Sequence, residues 1–139
     1  RVVVAGSRGK KTIISMIIRA LQRQKLAFDY ALTSEIPLLP NRVHMSYEAR
    51  IALIEGDEHV TSALEKRFQL EFFRPHIAIL TNLSWTPDTD HPTPDAYYDT
   101  FRNFTTLNNC PGHVSGNPRN GSGGTSPRLS RSQNVRRKR

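Results

Sequence analysis

A glycine-rich stretch near the start of the chain carries residue types that bind phosphate. The stretch GSRGKKT, residues 6–12, follows a short apolar run and precedes an amphipathic one. Gly6 and Gly9 allow the backbone to approach a ligand closely, and Lys10 supplies a cation that can reach a terminal phosphate. A helix that begins here would direct free N–H groups and the positive end of its dipole towards an anion. The stretch therefore predicts a phosphate-binding loop.

This stretch does not meet the phosphate-loop pattern G-x-x-x-x-G-K-[ST]. That pattern needs Gly where Val4 stands, and Ser or Thr where Lys11 stands. By itself, G-x-x-G-K is more typical of a basic turn between a strand and a helix. The strand expected before it and the helix expected after it favour phosphate binding. The hydroxyl of Thr12 or Ser7 is a candidate to touch Mg²⁺.

Apolar and amphipathic runs predict the elements that position this loop. Continuous apolar segments predict strands at residues 2–5, 26–32, 50–58 and 76–83. Helices are expected at residues 10–24, 61–72 and 94–107. The last helix would have Thr93 as its N-cap and Pro94 at its first position, and residues 34–50 are expected to form a loop. The sequence thus predicts an α/β fold, a mostly parallel sheet flanked by helices.

Polar side chains follow the expected strands at the edge where a parallel sheet binds its ligands. These strand ends are residues 6–11, 55–58 and 81–82. Glu55 closes an apolar run and is expected to lie nearest the site. Asp57 and Glu58 are more typical of a solvated strand end. Asn82 either contacts a substrate or only caps its strand, and the sequence leaves both alternatives open.

The positive charge of the chain is concentrated at its carboxyl end. Seven of the 20 Lys and Arg residues lie in residues 107–139, and none of the 12 Asp and Glu residues does, so residues 1–106 hold 13 basic and 12 acidic residues. The segment 107–139 also holds five of the eight glycines, and so polar a composition does not offset the entropy lost on ordering. We expect residues 1–106 to carry the fold and residues 107–139 to form a disordered, basic tail rich in Gly, Ser, Pro and Arg.

Two interpretations of this tail stay open. A run such as RSQNVRRKR attracts nucleic acid through phosphate charge, without sequence specificity. A frameshifted or truncated reading frame also produces such a mixture, and the abrupt end of the apolar pattern after Leu107 favours this artefact over a nucleic-acid partner. The chain also begins with Arg1 directly before a strand, so we expect a fragment of a longer protein.

Cysteine usage and hydropathy favour a cytoplasmic location. The single cysteine, Cys110, cannot form an intrachain disulfide, which is typical of a reducing compartment. The apolar runs are far shorter than the roughly 20 residues that a membrane helix needs, and no signal-peptide pattern opens the chain. We expect a cytoplasmic protein with no membrane partner.

Four segments together resemble the central, ATP-binding domain of the Mur ligases. They are VVVAGSRGKKTIISMI, LAFDY, IALIEGDEH, and HIAILTNLSW with the later HPTPDAYYDTF. They follow the family's order and spacing over residues 1–106, and they are most similar to the branch that joins UDP-N-acetylmuramate to L-alanine or to a recycled murein peptide. Members of the family carry a shorter phosphate loop, G-[ST]-x-G-K-[ST]-[ST], which does not require Gly in place of Val4. The resemblance implies a truncated, P-loop-type central domain.

This resemblance implies an ATP-dependent amide-bond ligase of peptidoglycan synthesis or recycling. ATP would phosphorylate a carboxylate on a UDP-N-acetylmuramate-type substrate, and the amine of an amino acid or peptide would then attack the acyl phosphate. Lys10 and Glu55 are the implied catalytic residues, Lys10 for the charge on the transferring phosphoryl group and Glu55 for Mg²⁺. The implied nucleotide-binding residues are Gly6, Ser7, Arg8, Gly9, Lys10, Lys11, Thr12 and Asn82. The implied metal ligands are Thr12, Glu55 and His91.

The chain departs from the family at two metal positions. Lys11 stands where the family has Ser or Thr, and an ammonium repels a cation, although Thr12 offers a substitute. The family's Asp-His pair aligns without gaps to residues 86–87, which are Thr and Pro, whereas Asp90 and His91 follow four residues later. Either the loop has shifted and Asp90 and His91 serve, or the pair is lost, and the ungapped count favours the loss.

Three functional hypotheses follow from these matches and departures. The chain is the nucleotide-binding part of a ligase, a decayed nucleotide-binding domain without ligase chemistry, or a basic nucleic-acid-binding protein. The fragment would lack the family's separate domains for the UDP sugar and for the amino acid or peptide, so we expect no turnover by this chain alone. Salt-insensitive ATP binding favours a nucleotide-binding domain, and salt-dependent oligonucleotide binding favours the last hypothesis.

Overall fold

The computed structural model describes residues 1–62 and 64–106. Within them the strands are β1 (Val2–Ala5), β2 (Phe28–Ala31), β3 (Val43–His44), β4 (Ile51–Glu55) and β5 (Ile77–Leu80). The helices are α1 (Lys10–Arg23), α2 (Leu70–Phe73) and α3 (Pro94–Thr106).

These strands form one mostly parallel sheet in the order β3-β2-β4-β1-β5. Strand β1 pairs in parallel with β4 on one side and β5 on the other, with Val4 opposite Glu55 and Ala5 opposite Leu80. The two-residue strand β3 runs antiparallel to β2 at one edge. Because β1, β4 and β5 are parallel, their carboxyl ends lie side by side at one end of the sheet.

Each face of the sheet is covered by one of the two longer helices. Successive residues of a strand point to opposite faces, so Val4 and Leu53 pack with Ile14 and Ile18 of α1. On the other face, α3 contributes to a buried cluster of Val3, Ala5, Leu80, Tyr97, Phe101 and Phe104. Burial on both faces explains the continuous apolar runs. The predicted fold, a mostly parallel sheet flanked by helices, is confirmed.

Both longer helices begin where the sequence predicts. Helix α1 begins at Lys10, directly after Gly9. Helix α3 begins at Pro94, and the Oγ1 of Thr93 accepts a 3.3 Å hydrogen bond from the N–H of Ala96. This cap satisfies one of the first-turn N–H groups, which lack acceptors within the helix. The four predicted strands are present, three of them shorter than the apolar runs suggest.

Two predictions for the intervening segments are wrong. The helix expected over residues 61–72 is confined to Leu70–Phe73, because the preceding backbone bonds across a loop: the N–H of Thr61 donates to the carbonyl of Arg67 at 2.9 Å, and that of Gln69 to His59 at 3.1 Å. The loop expected over residues 34–50 contains β3, which extends the sheet through its pairing with Tyr30 and Ala31. Neither non-local pairing has a signal in local periodicity.

The part of the chain that the structure describes has no helix long and apolar enough to span a membrane. The predicted basic tail of residues 107–139, with Cys110, lies outside the described residues.

Candidate functional site

The turn between β1 and α1 requires glycine at its first position. Gly6 has a φ of 128°, a backbone conformation that L side chains rarely adopt. A Cβ atom at Gly6 would lie 2.5 Å from the Oγ1 of Thr81 and 2.8 Å from the carbonyl oxygen of Asn82. Gly9 also has a positive φ, 88°, but a Cβ atom there would meet only the Cβ of Thr81, at 3.8 Å. The loop therefore packs tightly against the end of β5 at Gly6 and is open at Gly9.

Hydrogen bonds tie this loop to the residues that follow β5. The backbone N–H and the hydroxyl of Ser7 both donate to the carbonyl oxygen of Asn82, at 2.7 and 2.8 Å. The Ser7 hydroxyl in turn accepts a 2.9 Å bond from the N–H of Ser84. The hydroxyl of Thr81 donates to the carbonyl oxygen of Arg8 at 2.6 Å. Asn82 thus supports the loop through its backbone, while its side chain remains at an exposed position.

The amino end of α1 presents its backbone donors at the same place. Gly9 occupies the N-cap position, where it has no side chain to satisfy the first-turn N–H groups. The N–H of Ile13 is the one that bonds back to Gly9, at 3.2 Å. The preceding first-turn N–H groups have no acceptor within the helix, and the first turn holds no acidic residue. Lys11 and Thr12 are exposed in this turn, so the helix end is a suitable anion site.

The ammonium of Lys10 forms an ion pair across the site. Its Nζ lies 3.2 Å from Oε2 of Glu58, three residues beyond the end of β4, and the two side chains are only 17% and 14% exposed. The interpretation of Glu58 as part of a solvated strand end is therefore wrong. Asp57 is more exposed, and its Oδ1 accepts a 3.3 Å bond from the N–H of His59.

Glu55 ends β4 as a buried carboxylate with 5% of its surface exposed. Its Oε2 accepts bonds from the N–H groups of Thr33 and Ser34 at 3.1 and 3.0 Å, and from the Ser34 hydroxyl at 2.8 Å. Burial raises the pKa of Glu55, but the hydrogen bonds from Ser34 and Thr33 outweigh it and hold the pKa below its ordinary value. Glu55 is therefore ionised at neutral pH.

The register places Glu55 on the face of the sheet that α1 covers. Glu55 lies opposite Val4 and two residues after Leu53, and both of these side chains pack with α1. The structure thus brings Glu55 to the same edge and the same face as the amino end of α1. A carboxylate there fits Mg²⁺, which commonly uses one or two carboxylates together with phosphate oxygens and water. Among the described residues, however, no group of three or more His, Cys, Asp or Glu side chains forms a metal site.

His91 belongs to the opposite side of the sheet. Its ring is fully buried, with its centroid 5.0 Å from that of Phe68 and 5.2 Å from that of Tyr97, and its Nε2 lies 3.3 Å from the Thr100 hydroxyl of α3. Its Nδ1 lies 3.3 Å from Oδ1 of Asp88 without the geometry of a hydrogen bond. The structure does not bring His91 together with Glu55, and its contacts are those of a packing residue.

The sequence predicted a phosphate-binding loop and placed Glu58 and Thr81 at strand ends near it, but it did not predict the contacts that Glu58, Ser34 and Thr81 make. Glu58 forms an ion pair with Lys10, the Ser34 hydroxyl donates a hydrogen bond to Glu55, and the Thr81 hydroxyl donates one to the Arg8 carbonyl. Each of these contacts joins residues far apart in the chain. The one available signal was position, because all three follow the carboxyl ends of parallel strands.

A glycine loop after the first strand of a parallel sheet, with a lysine at the start of the next helix, is typical of nucleotide-binding α/β domains. Comparison with known proteins shows that this chain carries a segment homologous to the Mur ligases. It is 32% identical over 103 residues to the UDP-N-acetylmuramate–L-alanine ligase of Roseiflexus castenholzii, which is 74% of this chain and 20% of that protein. It is 34% identical over 106 residues to the enzyme of the same name from Arthrobacter sp., 76% of this chain and 21% of that protein.

The chain therefore spans about a fifth of the length of the curated relatives it matches. Among solved structures, it is similar to the UDP-N-acetylmuramate:L-alanyl-gamma-D-glutamyl-meso-diaminopimelate ligase of Neisseria meningitides. That match has a TM-score of 0.72 at 22% identity and covers 86% of this chain and 39% of the other. It shows the fold. No family model matches the chain.

Proposed function

We propose that residues 6–12 bind the phosphates of ATP and that this chain supplies the nucleotide-binding part of an amide-bond ligase. The observation that carries the proposal is the convergence of the Gly6–Gly9 turn, the free donors of α1 and the Lys10 ammonium at one strand end. Backbone N–H groups and a cation together stabilise phosphate charge. Arg8 and Lys11, both exposed beside the loop, add positive charge, and the exposed side chain of Asn82 is available to the nucleotide.

Glu55 would hold Mg²⁺, together with the hydroxyl of Thr12. Mg²⁺ supplies charge that offsets the negative charge of the phosphate groups. The support for Glu55 is its ionised state and its place beside the amino end of α1. Lys11 next to Thr12 opposes a cation through like charge, so we expect Glu55 to contribute most of the metal affinity.

The reaction proposed for the whole protein has two steps. An oxygen of a substrate carboxylate takes the γ-phosphoryl group of ATP, giving an acyl phosphate and ADP. An amine then attacks the acyl carbon, phosphate leaves, and loss of a proton gives the amide. In the first step Lys10 would stabilise charge on the transferring group.

The substrates follow from the names of the relatives. Those proteins are named for joining UDP-N-acetylmuramate to L-alanine, and we propose a UDP-N-acetylmuramate-type acid and an amino acid or peptide amine as the substrates here. The role would lie in peptidoglycan synthesis or recycling, in the cytoplasm, where ATP and UDP sugars are available. Because the chain spans about a fifth of those relatives, we expect nucleotide binding by this chain but no turnover.

Calorimetric titration with a non-hydrolysable ATP analogue tests the proposal. We expect binding that tightens with Mg²⁺ and that weakens by about tenfold or more in Lys10→Ala, since a charge-assisted hydrogen bond contributes about 1.5–3 kcal/mol. Lys25→Ala is a matched control, because Lys25 follows the other end of α1. No binding by a chain that circular dichroism shows to be folded would leave only a domain that has lost its nucleotide site.

The second candidate function is a nucleotide-binding domain without ligase chemistry. The observation that favours it is Lys11 at the hydroxyl position, together with the absence, among residues 1–62 and 64–106, of a cluster that could hold a metal. It predicts that the analogue binds equally well with and without Mg²⁺, so the same titration separates the two.

A further inference from the structure

The Lys10 ammonium, the cation that the phosphate loop would offer to a ligand, is already paired with Glu58. Lys10 is the first residue of α1, so its ammonium and the free N–H groups of the first turn serve the same anion. In the structure this ammonium instead faces Oε2 of Glu58 at 3.2 Å, with both side chains largely buried. A carboxylate oxygen thus stands where a phosphate oxygen would pair with Lys10.

From this contact we infer that Glu58 is an internal counter-ion that competes with phosphate for Lys10 and sets the affinity of the loop for metal-free nucleotide. The inference rests on the proposed nucleotide site and deepens it. An anion that binds at the loop either displaces Glu58 from Lys10 or binds Lys10 together with Glu58. Sharing is possible because the Lys10 ammonium has three N–H donors. Both outcomes oppose binding. Displacement leaves a buried carboxylate without its partner, and sharing places two negative charges close together.

Burial makes this competition strong. Exposed ion pairs are screened by water and salt and contribute little, whereas the two side chains here retain only 17% and 14% exposure. Asp57 is a matched comparison one residue away. It carries the same charge but lies beside His59, with its Oδ1 3.9 Å from Nε2 of that ring and with 29% exposure. The two carboxylates therefore separate a local effect on Lys10 from the general charge of this strand end.

Titration of the full chain with ATP in the presence of EDTA tests the inference, since no divalent cation then contributes. We expect Glu58→Gln to tighten ATP binding by roughly tenfold, because Lys10 then no longer has to give up a partly buried carboxylate partner to bind the phosphate. Asp57→Asn should change the affinity by less than about threefold. In a Lys10→Ala background, Glu58→Gln should have a much smaller effect, because the ammonium that couples the two groups is gone.

Two results would overturn the inference. Weaker binding in Glu58→Gln would mean that the carboxylate orients Lys10 for the ligand. Equal effects of Glu58→Gln and Asp57→Asn would mean that only general charge acts. If wild type binds the Mg²⁺–nucleotide complex through Lys10 and either result is found, the proposed function stands and the counter-ion role fails. If no folded variant binds nucleotide with or without Mg²⁺, both fail.

A measurement on the wild-type chain covers the case in which Glu58→Gln does not fold. The ¹³C resonance of the Glu58 carboxyl carbon should shift on saturation with ATP, and that of Asp57 should shift much less. An unchanged Glu58 resonance in the nucleotide-bound protein would contradict the inference, because displacement from Lys10 and sharing of the ammonium with phosphate would both alter the surroundings of the Glu58 carboxylate.

Discussion

The hydroxyl of Thr81 lies 2.6 Å from the carbonyl oxygen of Arg8 and joins the end of β5 to the middle of the loop at residues 6–12, which we propose binds phosphate. The same hydroxyl lies 3.2 Å from the carbonyl oxygen of Ala5. A hydroxyl has one proton to donate, and the shorter contact identifies Arg8 as its main acceptor. The loop conformation is thus stabilised by a residue 73 positions further along the chain, directly after β5.

Thr81→Val should weaken nucleotide binding by about three- to tenfold and lower the free energy of unfolding by about 1 kcal/mol, the usual contribution of one hydrogen bond. Valine keeps the shape of threonine but leaves the Arg8 carbonyl without its donor. Calorimetry with an ATP analogue and urea unfolding measure the two effects. Thr81→Ser retains the hydroxyl and should bind like wild type. Equal weakening in both variants would show that the methyl group, and not the hydroxyl, positions the loop.

Gly6→Ala should destabilise the fold more than Gly9→Ala does. At Gly6 the new methyl group meets Thr81 Oγ1 at 2.5 Å and a backbone oxygen at 2.8 Å, and the backbone has a φ of 128°. At Gly9 the methyl group has room, so only the positive φ opposes it. We expect losses in the free energy of unfolding of about 3 kcal/mol and about 1 kcal/mol, respectively. Urea unfolding measures both, and similar losses would contradict the tight packing of Gly6 against Thr81.

Ser34→Ala should lower the free energy of unfolding at pH 7 by about 1–2 kcal/mol. The pKa of Glu55 lies below its ordinary value of 4.5 because the hydrogen bonds from Ser34 and Thr33 outweigh the effect of burial. A lowered pKa means that this carboxylate stabilises the fold above pH 4.5 and that the contribution is lost as the pH falls through the folded-state pKa. The difference in the free energy of unfolding between wild type and Ser34→Ala should therefore become smaller as the pH falls below about 4.5.

Ser46→Ala is the matched control for this pH dependence. The Ser46 hydroxyl also donates to a carboxylate, at 3.0 Å from Oδ1 of Asp29, but at an exposed position. Urea unfolding between about pH 7 and pH 3 should show a smaller loss for Ser46→Ala. A loss in Ser34→Ala that does not vary with pH would indicate that packing, and not the Glu55 charge, is affected.

Replacement of His91 should alter stability and leave the metal dependence of nucleotide binding unchanged. Its buried ring packs against Phe68 and Tyr97, so His91→Ala should lower the free energy of unfolding by about 2–4 kcal/mol. His91→Phe retains the ring, and we expect it to fold. Calorimetry with and without Mg²⁺ should show the wild-type increase in affinity for His91→Phe and a reduced increase for Glu55→Gln. If Mg²⁺ no longer increased the nucleotide affinity of His91→Phe, the result would support His91 as a metal ligand.

Several elements of this protein are determined by short stretches of sequence. The apolar runs of β1, β4 and β5 predict buried parallel strands, and the 3.6-residue spacing predicts α1. The Thr93-Pro94 start of α3 is also confirmed, with its capping bond. These elements depend on near neighbours in the chain, which is why patterns within a window of a few residues predict them. The phosphate-loop prediction rests on such local chemistry too.

The arrangement of the site was decided by the tertiary structure. The sheet order β3-β2-β4-β1-β5 brings Thr81 to Arg8, Ser34 to Glu55 and Glu58 to Lys10. A separate bridge between Val60 and Phe68, outside this sheet, forms a loop where the sequence predicts a helix. Composition and periodicity report the preferences of a residue and its near neighbours in the chain. These contacts form because the strand order brings together the carboxyl ends of strands that are far apart in the sequence. The sequence by itself therefore determined the glycine loop and the cation Lys10. The tertiary structure decided which residues contact them, namely Thr81 at the loop and Glu58 at Lys10.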